Sequence, residues 1–225
     1  MTPTKNTITR GVAARLLTAA GAGGALVATL AIGAQLLPGS AGDAGLVVAQ
    51  QADAGAATYA VDPVHSMVMF RVSHLDVAYV YGMFWKTDGS FRIDMDDLDD
   101  SVIEITVETG SIDTGNDARD THLKGGDFFD VRRHPEMAFT AESFERIDDD
   151  TLRVTGPLTM LGQSREVTAE VTKVGERDTA RGPKAGFEAE FTVKRSEWGM
   201  TKYVQDEGGL GDEVTLNVTI EGNRQ

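Results

Sequence analysis

The chain contains no cysteine and only four histidines among its 225 residues. The lack of cysteine excludes disulfide bonds and thiolate metal sites. Zinc sites need three or four ligands that meet around the ion, and no His-Glu-x-x-His pattern is present. We therefore predict no metal site and expect structural or polar-gating roles for the four histidines, which are His65, His74, His122 and His134.

Motifs of covalent catalysis are also lacking. A serine hydrolase needs a nucleophile, a base and an orienting group, and the chain has no Gly-x-Ser-x-Gly elbow. Ser66 follows His65, but neighbouring residues of a strand point to opposite faces, so this pair is a poor catalytic candidate. The sequence predicts no enzyme, no catalytic residue and no cofactor.

Positive charge is scarce, and the net charge is −14. The residues before Tyr59 include three basic and two acidic side chains, about +1, so the remainder carries about −15. Such an acidic domain is repelled by phosphate backbones and by anionic lipid head groups. We therefore expect no nucleic-acid partner.

The N-terminal residues resemble an export segment. Lys5, Arg10 and Arg15 precede residues 16–37, which contain no charged side chain. As a helix this segment would measure about 33 Å, enough to cross a bilayer core. Residues 1–38 are therefore either a cleaved signal peptide or a retained membrane anchor, and residues 39–58 read as a flexible linker. Either way, we expect the rest in the periplasm or cell envelope, released or anchored to the inner membrane.

Residues 62–91 contain two alternating runs, predicted as strands over residues 66–73 and 78–87. In the first run, Val68, Phe70 and Val72 alternate with Met67, Met69 and Arg71. In the second run both faces are apolar or aromatic, which a strand with one solvated face would not show. The extra apolar face is predicted to line a cavity or to pack on a helix, a membrane or a second subunit, as in a homodimer.

The remaining pattern is mainly β. Asp88-Gly89 reads as a tight turn that pairs residues 90–95 with the preceding strand, and residues 175–186 read as a polar loop. Asn116 or Asp117 is expected to cap a short helix that runs to about Phe129 and is interrupted near Gly125-Gly126. Residues 208–211 read as a mobile connection. Further strands are predicted at residues 59–61, 101–109, 137–146, 151–160, 165–174, 186–195 and 212–222.

Eight or more short strands joined by tight turns indicate a closed or sandwiched antiparallel sheet. An eight-stranded barrel is wide enough to be filled by its own side chains or to hold one small ligand. The sequence alone leaves these two alternatives open.

Ten short segments, in this order, resemble the YceI-like family of exported bacterial lipid-binding proteins. Together they extend over nearly all of the chain after residue 58. They are Tyr59-x-Val61-Asp62-Pro63-x-His65-Ser66, Phe70-x-Val72-x-His74, Gly82-x-Phe84, Ser111-Ile112-x-Thr114-Gly115, Arg119-Asp120-x-His122-Leu123-Lys124, Asp127-Phe128-Phe129-Asp130, His134-Pro135-x-Met137-x-Phe139, Gly156-x-Leu158-Thr159-x-x-Gly162, Arg195-Ser196-x-Trp198-Gly199 and Gly211-Asp212-Glu213-Val214.

The resemblance implies an extended eight-stranded antiparallel lipocalin-like β-barrel with one short helix over residues 59–222. It also implies a non-enzymatic carrier of a polyisoprenoid, an isoprenoid quinone or a similar long apolar lipid. The alternative is a stress-related interaction module whose barrel is filled by side chains. The acidic surface favours a neutral head group such as a quinone ring, whereas the basic cluster of residues 132–134 favours a diphosphate.

Candidate ligand-binding residues are the bulky apolar side chains near these motifs, each of which would otherwise serve as ordinary core packing. For Gly82, the alternative to lining the cavity is a place where two strands cross closely or form a bulge. The cavity candidates are Phe70, Val72, Val80, Gly82, Phe84, Leu123, Phe128, Phe129, Phe139, Phe191 and Trp198. The candidates for a polar gate or head-group contact are His74, His122 and Arg132.

Overall fold

The computed structural model describes residues 56–204 and 209–225. This part of the chain contains one α-helix, α1 (Asp117–Leu123), and short 3₁₀ turns. Its strands are β1 (Tyr59–Val61), β2 (Met67–His74), β3 (Ala78–Phe84), β4 (Thr87–Arg92), β5 (Val102–Glu108), β6 (Ile112–Asp113), β7 (Glu136–Thr140), β8 (Ser143–Arg146), β9 (Thr151–Met160), β10 (Gln163–Thr179), β11 (Gly182–Lys194) and β12 (Leu210–Arg224).

Eight of these strands close into an antiparallel barrel, in the order β1-β4-β5-β7-β9-β10-β11-β12 and back to β1. The ring closes where the short strand β1 pairs with β4 on one side and with the end of β12 on the other. The opposite half of β12 pairs with β2, which carries β3 and then β6. The predicted fold class, an extended eight-stranded barrel with a short helix, is confirmed.

The inward and outward residues of the strands alternate as the hydrophobic pattern predicts. In β5, Ile103, Ile105 and Val107 are buried whereas Glu104 and Glu108 are exposed. The predicted hairpin of β9 and β10 is also confirmed, with Met160 opposite Gln163 across a two-residue turn. The helix starts where the cap was predicted, because the Asn116 side chain accepts a hydrogen bond from the Arg119 N–H at 3.0 Å.

The predicted turn at Asp88-Gly89 is wrong, because both residues lie inside β4. This strand pairs with β1 and β5, and it has no pairing with β3. Gly89 has a φ of +131°, and a Cβ there would lie 2.0 Å from the carbonyl oxygen of Glu104. The glycine permits a close approach of two backbones within the sheet. In the sequence, a glycine present for this reason cannot be distinguished from one that forms a turn.

The predicted polar loop at residues 175–186 is also wrong. Strands β10 and β11 remain paired through Thr179 and Gly182. Most side chains of this tip are exposed, so no buried face imposes an alternating pattern there.

Two predicted elements are shorter in the structure. The strand predicted over residues 137–146 divides into β7 and β8. At the end of β7 the backbone of β9 comes close, and a Cβ at Gly156 would lie 2.1 Å from the Thr140 carbonyl oxygen. Helix α1 ends at Leu123, well before the predicted Phe129.

The predicted export segment and most of the predicted linker lie outside the described residues. At its border, Ala56 N–H donates to Asp94 at 3.2 Å, and Gln225 N–H donates to the Thr58 carbonyl at 3.0 Å. Residues 56–58 are therefore attached to the barrel. In the described part of the chain, no helix combines the length and apolarity that a bilayer crossing requires.

Candidate ligand-binding cavity

The inward side chains of the barrel surround a cavity of about 150 Å³. A dry apolar cavity of about this size can hold a benzene-sized molecule. Its wall is apolar except for Arg195. The lining residues are Val68, Phe70, Val72, Phe84, Ile103, Ile105, Val107, Leu123, Phe128, Phe129, Met137, Ala138, Phe139, Leu158, Met160, Val167, Ala169, Val171, Phe187, Ala189, Phe191, Val193, Arg195, Met200, Leu210, Val214, Leu216 and Val218.

Most of the predicted cavity residues lie on this wall. They are Phe70, Val72, Phe84, Leu123, Phe128, Phe129, Phe139 and Phe191. The structure brings them together from four strands, from α1 and from the segment after it. Their contact with a ligand remains a prediction.

Val80, Gly82 and Trp198 are not among the lining residues. Gly82 lies under the ring of Phe70, and a Cβ there would be 2.5 Å from Phe70 Cζ. Trp198 is buried in the wall, where its Nε1 donates to the Leu158 carbonyl at 3.2 Å. Val80 lies opposite Val72, near the β2–β3 turn. A side chain at position 82 would therefore displace the Phe70 ring, which does line the cavity.

One end of the barrel is closed by aromatic side chains. Tyr59 and Phe91 stack at 5.5 Å, and Phe187 meets Phe91 edge-on at 5.1 Å. Burial of the Tyr59 ring and its hydrogen bond to Glu176 raise the pKa of the phenol to about 12. The same hydrogen bond lowers the pKa of Glu176.

The other end is covered by α1 and the segment that follows it. Asp120 fastens the helix to β6, because its carboxylate accepts hydrogen bonds from the N–H and hydroxyl of Thr114 at 2.9 and 2.5 Å. The cover brings Leu123 and Phe129 onto the cavity wall, and both are only half-buried. This end is therefore the less tightly closed of the two.

His122, one of the gate candidates, lies in this cover. Its ring meets that of Phe128 edge-on at 5.0 Å and that of Tyr203 at 6.3 Å. Its Nε2 is 3.4 Å from the Asp127 carboxylate, which also lies 3.7 Å from the Lys202 ammonium. The imidazole thus links α1 to the segment before β12.

None of the three gate candidates lines the cavity, and His122, His74 and Arg132 are all exposed. His74 ends β2 opposite Ala78 and Leu210. Beside Arg132, the Arg133 guanidinium forms an ion pair with Asp130. The predicted basic cluster is thus partly neutralised and lies away from the wall.

Arg195, which sequence reasoning overlooked, is the one charged side chain on the wall among the described residues. It is buried, and its guanidinium donates to the carbonyls of Gly211, Met200 and Leu210 at 2.8, 2.8 and 2.9 Å. Burial lowers the pKa of this group. These bonds hold the backbone at Met200 and at Leu210, two of the residues on the wall.

Asp62, His65, Lys184 and Glu221 form a polar clamp outside the cavity. His65 Nδ1 lies 3.0 Å from Asp62 Oδ2, and the Lys184 ammonium lies 3.1 Å from Asp62 and 2.5 Å from Glu221. Hydrogen bonds with His65, with the Val64 N–H and with Lys184 hold the pKa of Asp62 well below its usual range.

Asp62, His65 and Glu221 of this clamp offer three ligand atoms within 4.8 Å of one another, the number that a metal site needs. The Lys184 ammonium pairs with both carboxylates and neutralises one of their two negative charges, so the same residues already form a structural ion-pair cluster. The Ser66 hydroxyl is bonded to the backbone of Glu221, which leaves it engaged away from His65.

The sequence analysis also missed much of the wall contributed by β5 and β9–β12. The signal that could have found these residues was the alternation of each strand, such as Val167, Ala169 and Val171 in β10. Our prediction concentrated on aromatic side chains and so left out the smaller aliphatic ones.

The geometry defines a class of protein, a closed antiparallel barrel with an apolar interior and a helical cover over one end. A family model described as "YceI-like domain" matches residues 59–222. The chain therefore belongs to the YceI-like family.

Curated relatives agree with this assignment. Protein YceI of Salmonella newport and Protein YceI of Escherichia coli O6:H1 are each 36% identical to the chain over 173 residues. These alignments cover 76% of the chain and 88% of each relative.

Solved structures share the fold. The Campylobacter jejuni YCEI protein matches with a TM-score of 0.60 and 28% identity over 68% of this chain and 90% of that one. Burkholderia cenocepacia BcnA matches with a TM-score of 0.62 and 23% identity over 72% and 98%. A polyisoprenoid binding domain from Saccharophagus degradans matches with a TM-score of 0.53 and 12% identity over 76% and 99%.

Proposed function

We propose that the protein is a non-enzymatic carrier that holds the chain of a polyisoprenoid, an isoprenoid quinone or a similar long apolar lipid inside its barrel. The observation that carries this proposal is the cavity wall, which is formed by apolar side chains of β2, β3, β5, β7 and β9–β12 and has Arg195 as its one charged member among the described residues. A ligand without polar groups along its length suits such a wall, because any buried polar group would lack a partner.

The relatives support the ligand class. One structural neighbour is described as a polyisoprenoid binding domain, and its barrel covers most of this chain. We transfer that ligand class to the present protein as part of the proposal.

The cavity volume places a condition on the ligand. At about 150 Å³ it is below the roughly 300–1,000 Å³ usual for drug-sized ligands. A long chain therefore requires wall side chains to move. Phe70, Phe129 and Phe139 are the natural candidates, since they line the cavity and are only half-buried.

The energetics allow useful binding. Burial of about 400 Å² of a prenyl chain contributes roughly 10 kcal/mol at about 25 cal/mol per Å². Association costs of about 4–15 kcal/mol oppose this gain. The fit of the chain to the cavity therefore decides the affinity more than the total area does.

We further propose that residues 1–38 export the protein to the periplasm or cell envelope, as a cleaved signal or as an anchor, and that residues 39–58 act as a linker. Three basic residues before an uncharged apolar segment support this part of the proposal.

A thermal-unfolding series with a prenyl alcohol tests the ligand class. At a hundredfold excess over the dissociation constant, a ligand of the native state stabilises it by about 2.7 kcal/mol. We expect a rising melting temperature with the prenyl alcohol and a smaller rise with a short alcohol of the same head group. An unchanged melting temperature with every prenyl lipid would favour the alternative, an interaction module with a filled barrel.

A further inference from the structure

An apolar face remains uncovered on the outside of β2 and β3. We call it the outer hairpin face, and its members are Met69, Arg71, Tyr79, Tyr81, Met83 and Trp85. Tyr79 is 57% exposed, Tyr81 61% and Trp85 46%. Register places these side chains together, because Met69 lies opposite Met83 and Arg71 opposite Tyr81. A contiguous exposed face of this kind marks an interaction site.

The composition of the face suits the head-group region of a bilayer. Tyrosine and tryptophan combine an apolar ring with a polar atom and are enriched at membrane interfaces. The one charged member is Arg71, whose guanidinium lies over the Tyr79 ring at 4.8 Å. A cation at this position can contact lipid phosphate.

Charge favours a lipid surface over a second copy of the chain. The outer hairpin face has no carboxylate of its own, and the acidic residues at its borders include Asp113 opposite Met83, Asp76 in the β2–β3 turn and Glu213 on the neighbouring strand β12. The domain as a whole carries about −15, so self-association brings two strongly acidic bodies together. A zwitterionic membrane presents no such repulsion.

The position of the face also suits a lipid partner. The opposite sides of the same two strands carry Phe70, Val72 and Phe84, which line the cavity. At the turn between the strands, Leu75 and Val77 are exposed, and Leu75 N–H bonds to the Gly209 carbonyl beside β12. A bilayer at the outer hairpin face is therefore separated from the cavity by one layer of sheet.

We infer that the outer hairpin face docks the protein on the head-group region of a zwitterionic phospholipid bilayer, with Tyr79, Tyr81 and Trp85 inserted at the interface. This inference adds a docking surface to the proposed carrier and is tested with vesicles that contain no prenyl lipid.

The two tryptophans of the chain supply a local probe. Trp85 lies on the outer hairpin face, whereas Trp198 is 1% exposed inside the wall. Phosphatidylcholine vesicles with brominated acyl chains quench a tryptophan only at short range. We expect them to quench the full-length protein and to lose this effect in Trp85→Phe, which retains Trp198.

Variants of the face identify the contact. Tyr79→Ser combined with Tyr81→Ser should lower the fraction of Trp85 that is quenched at least about twofold. Val174→Ser is the matched control, because Val174 is 66% exposed on β10, outside the face, and its loss should leave quenching unchanged.

The readout is independent of any attachment through residues 1–38. Protein that floats with the vesicles while Trp85 stays unquenched would overturn the inference, and so would quenching that the double variant leaves unchanged. Sedimentation that shows a dimer dissociated by the same double variant, without quenching, would assign the face to a second copy instead. A failed docking test together with a melting temperature that still rises with prenyl alcohol would leave the carrier proposal intact.

Discussion

The replacement Ala169→Leu tests whether the barrel is hollow, because Ala169 lies on the cavity wall between Val167 and Val171. The change adds three carbon atoms inside the barrel. If the cavity receives them, their burial at about 0.8 kcal/mol per methylene stabilises the native state by about 2 kcal/mol. If side chains already fill the space, overpacking destabilises it by about 1–3 kcal/mol. The two accounts therefore predict opposite signs.

Thermal unfolding measures the difference directly. For a domain of this size, 1 kcal/mol shifts the melting temperature by about 2–4 °C, so we expect a rise of about 4–8 °C. The same variant should bind a prenyl alcohol at least about tenfold more weakly, since the added side chain occupies the ligand's space. Ala118→Leu is the control, because Ala118 is exposed on α1 and its change should stay near neutral. A fall of several degrees in Ala169→Leu alone would refute a hollow barrel.

Three further predictions concern other parts of the fold. Gly82→Ala should destabilise the protein by about 1–3 kcal/mol and weaken prenyl binding, because the added Cβ displaces the Phe70 ring. The control Gly175→Ala should be tolerated, because a Cβ there meets nothing within 4 Å. Equal melting temperatures of the two variants would contradict this prediction. Asp62→Asn should destabilise the protein at pH 7, and this destabilisation should shrink as pH falls below about 4. A carboxyl whose pKa is lowered in the folded state loses its contribution to stability once it is protonated in acid. If the clamp is unimportant, urea unfolding will show the same difference in unfolding free energy between wild type and variant at every pH. The Tyr59 phenol, whose pKa is about 12 in the folded protein, should contribute stability that is lost as pH rises from about 10 to about 12. Tyr59→Phe should abolish this loss. An alkaline unfolding curve that the replacement leaves unchanged would count against the raised pKa of Tyr59.

The sequence predicted the features that rest on a buried face. In β5 the alternation of Ile103 and Ile105 with Glu104 identified both the strand and its orientation, since one face meets the core and the other meets water. Asn116 gave the start of α1 because a side-chain cap is a local interaction. Such local and periodic signals were sufficient for the fold class and for the aromatic part of the cavity wall.

The errors arose where non-local packing decides the structure. Gly89 resembles a turn residue, yet its role is a close approach to Glu104 on a strand that follows it in the sequence. Nothing local shows that Phe70 covers Gly82 or that Arg195 satisfies three carbonyls from a separate segment. These contacts depend on the register between paired strands and on how separate segments approach each other in the fold. The periodicity of a single strand carries no information on either.

The most direct test of the central claim is native mass spectrometry of the full-length protein purified from an envelope that supplies isoprenoid lipids. The account predicts an added mass that extracts into organic solvent and corresponds to one prenyl chain or quinone per protein. The Ala169→Leu variant should lose this added mass while it remains folded. Protein that carries no apolar molecule in repeated preparations, and that takes up none when prenyl alcohol is supplied, would contradict the claim that the cavity is a lipid site.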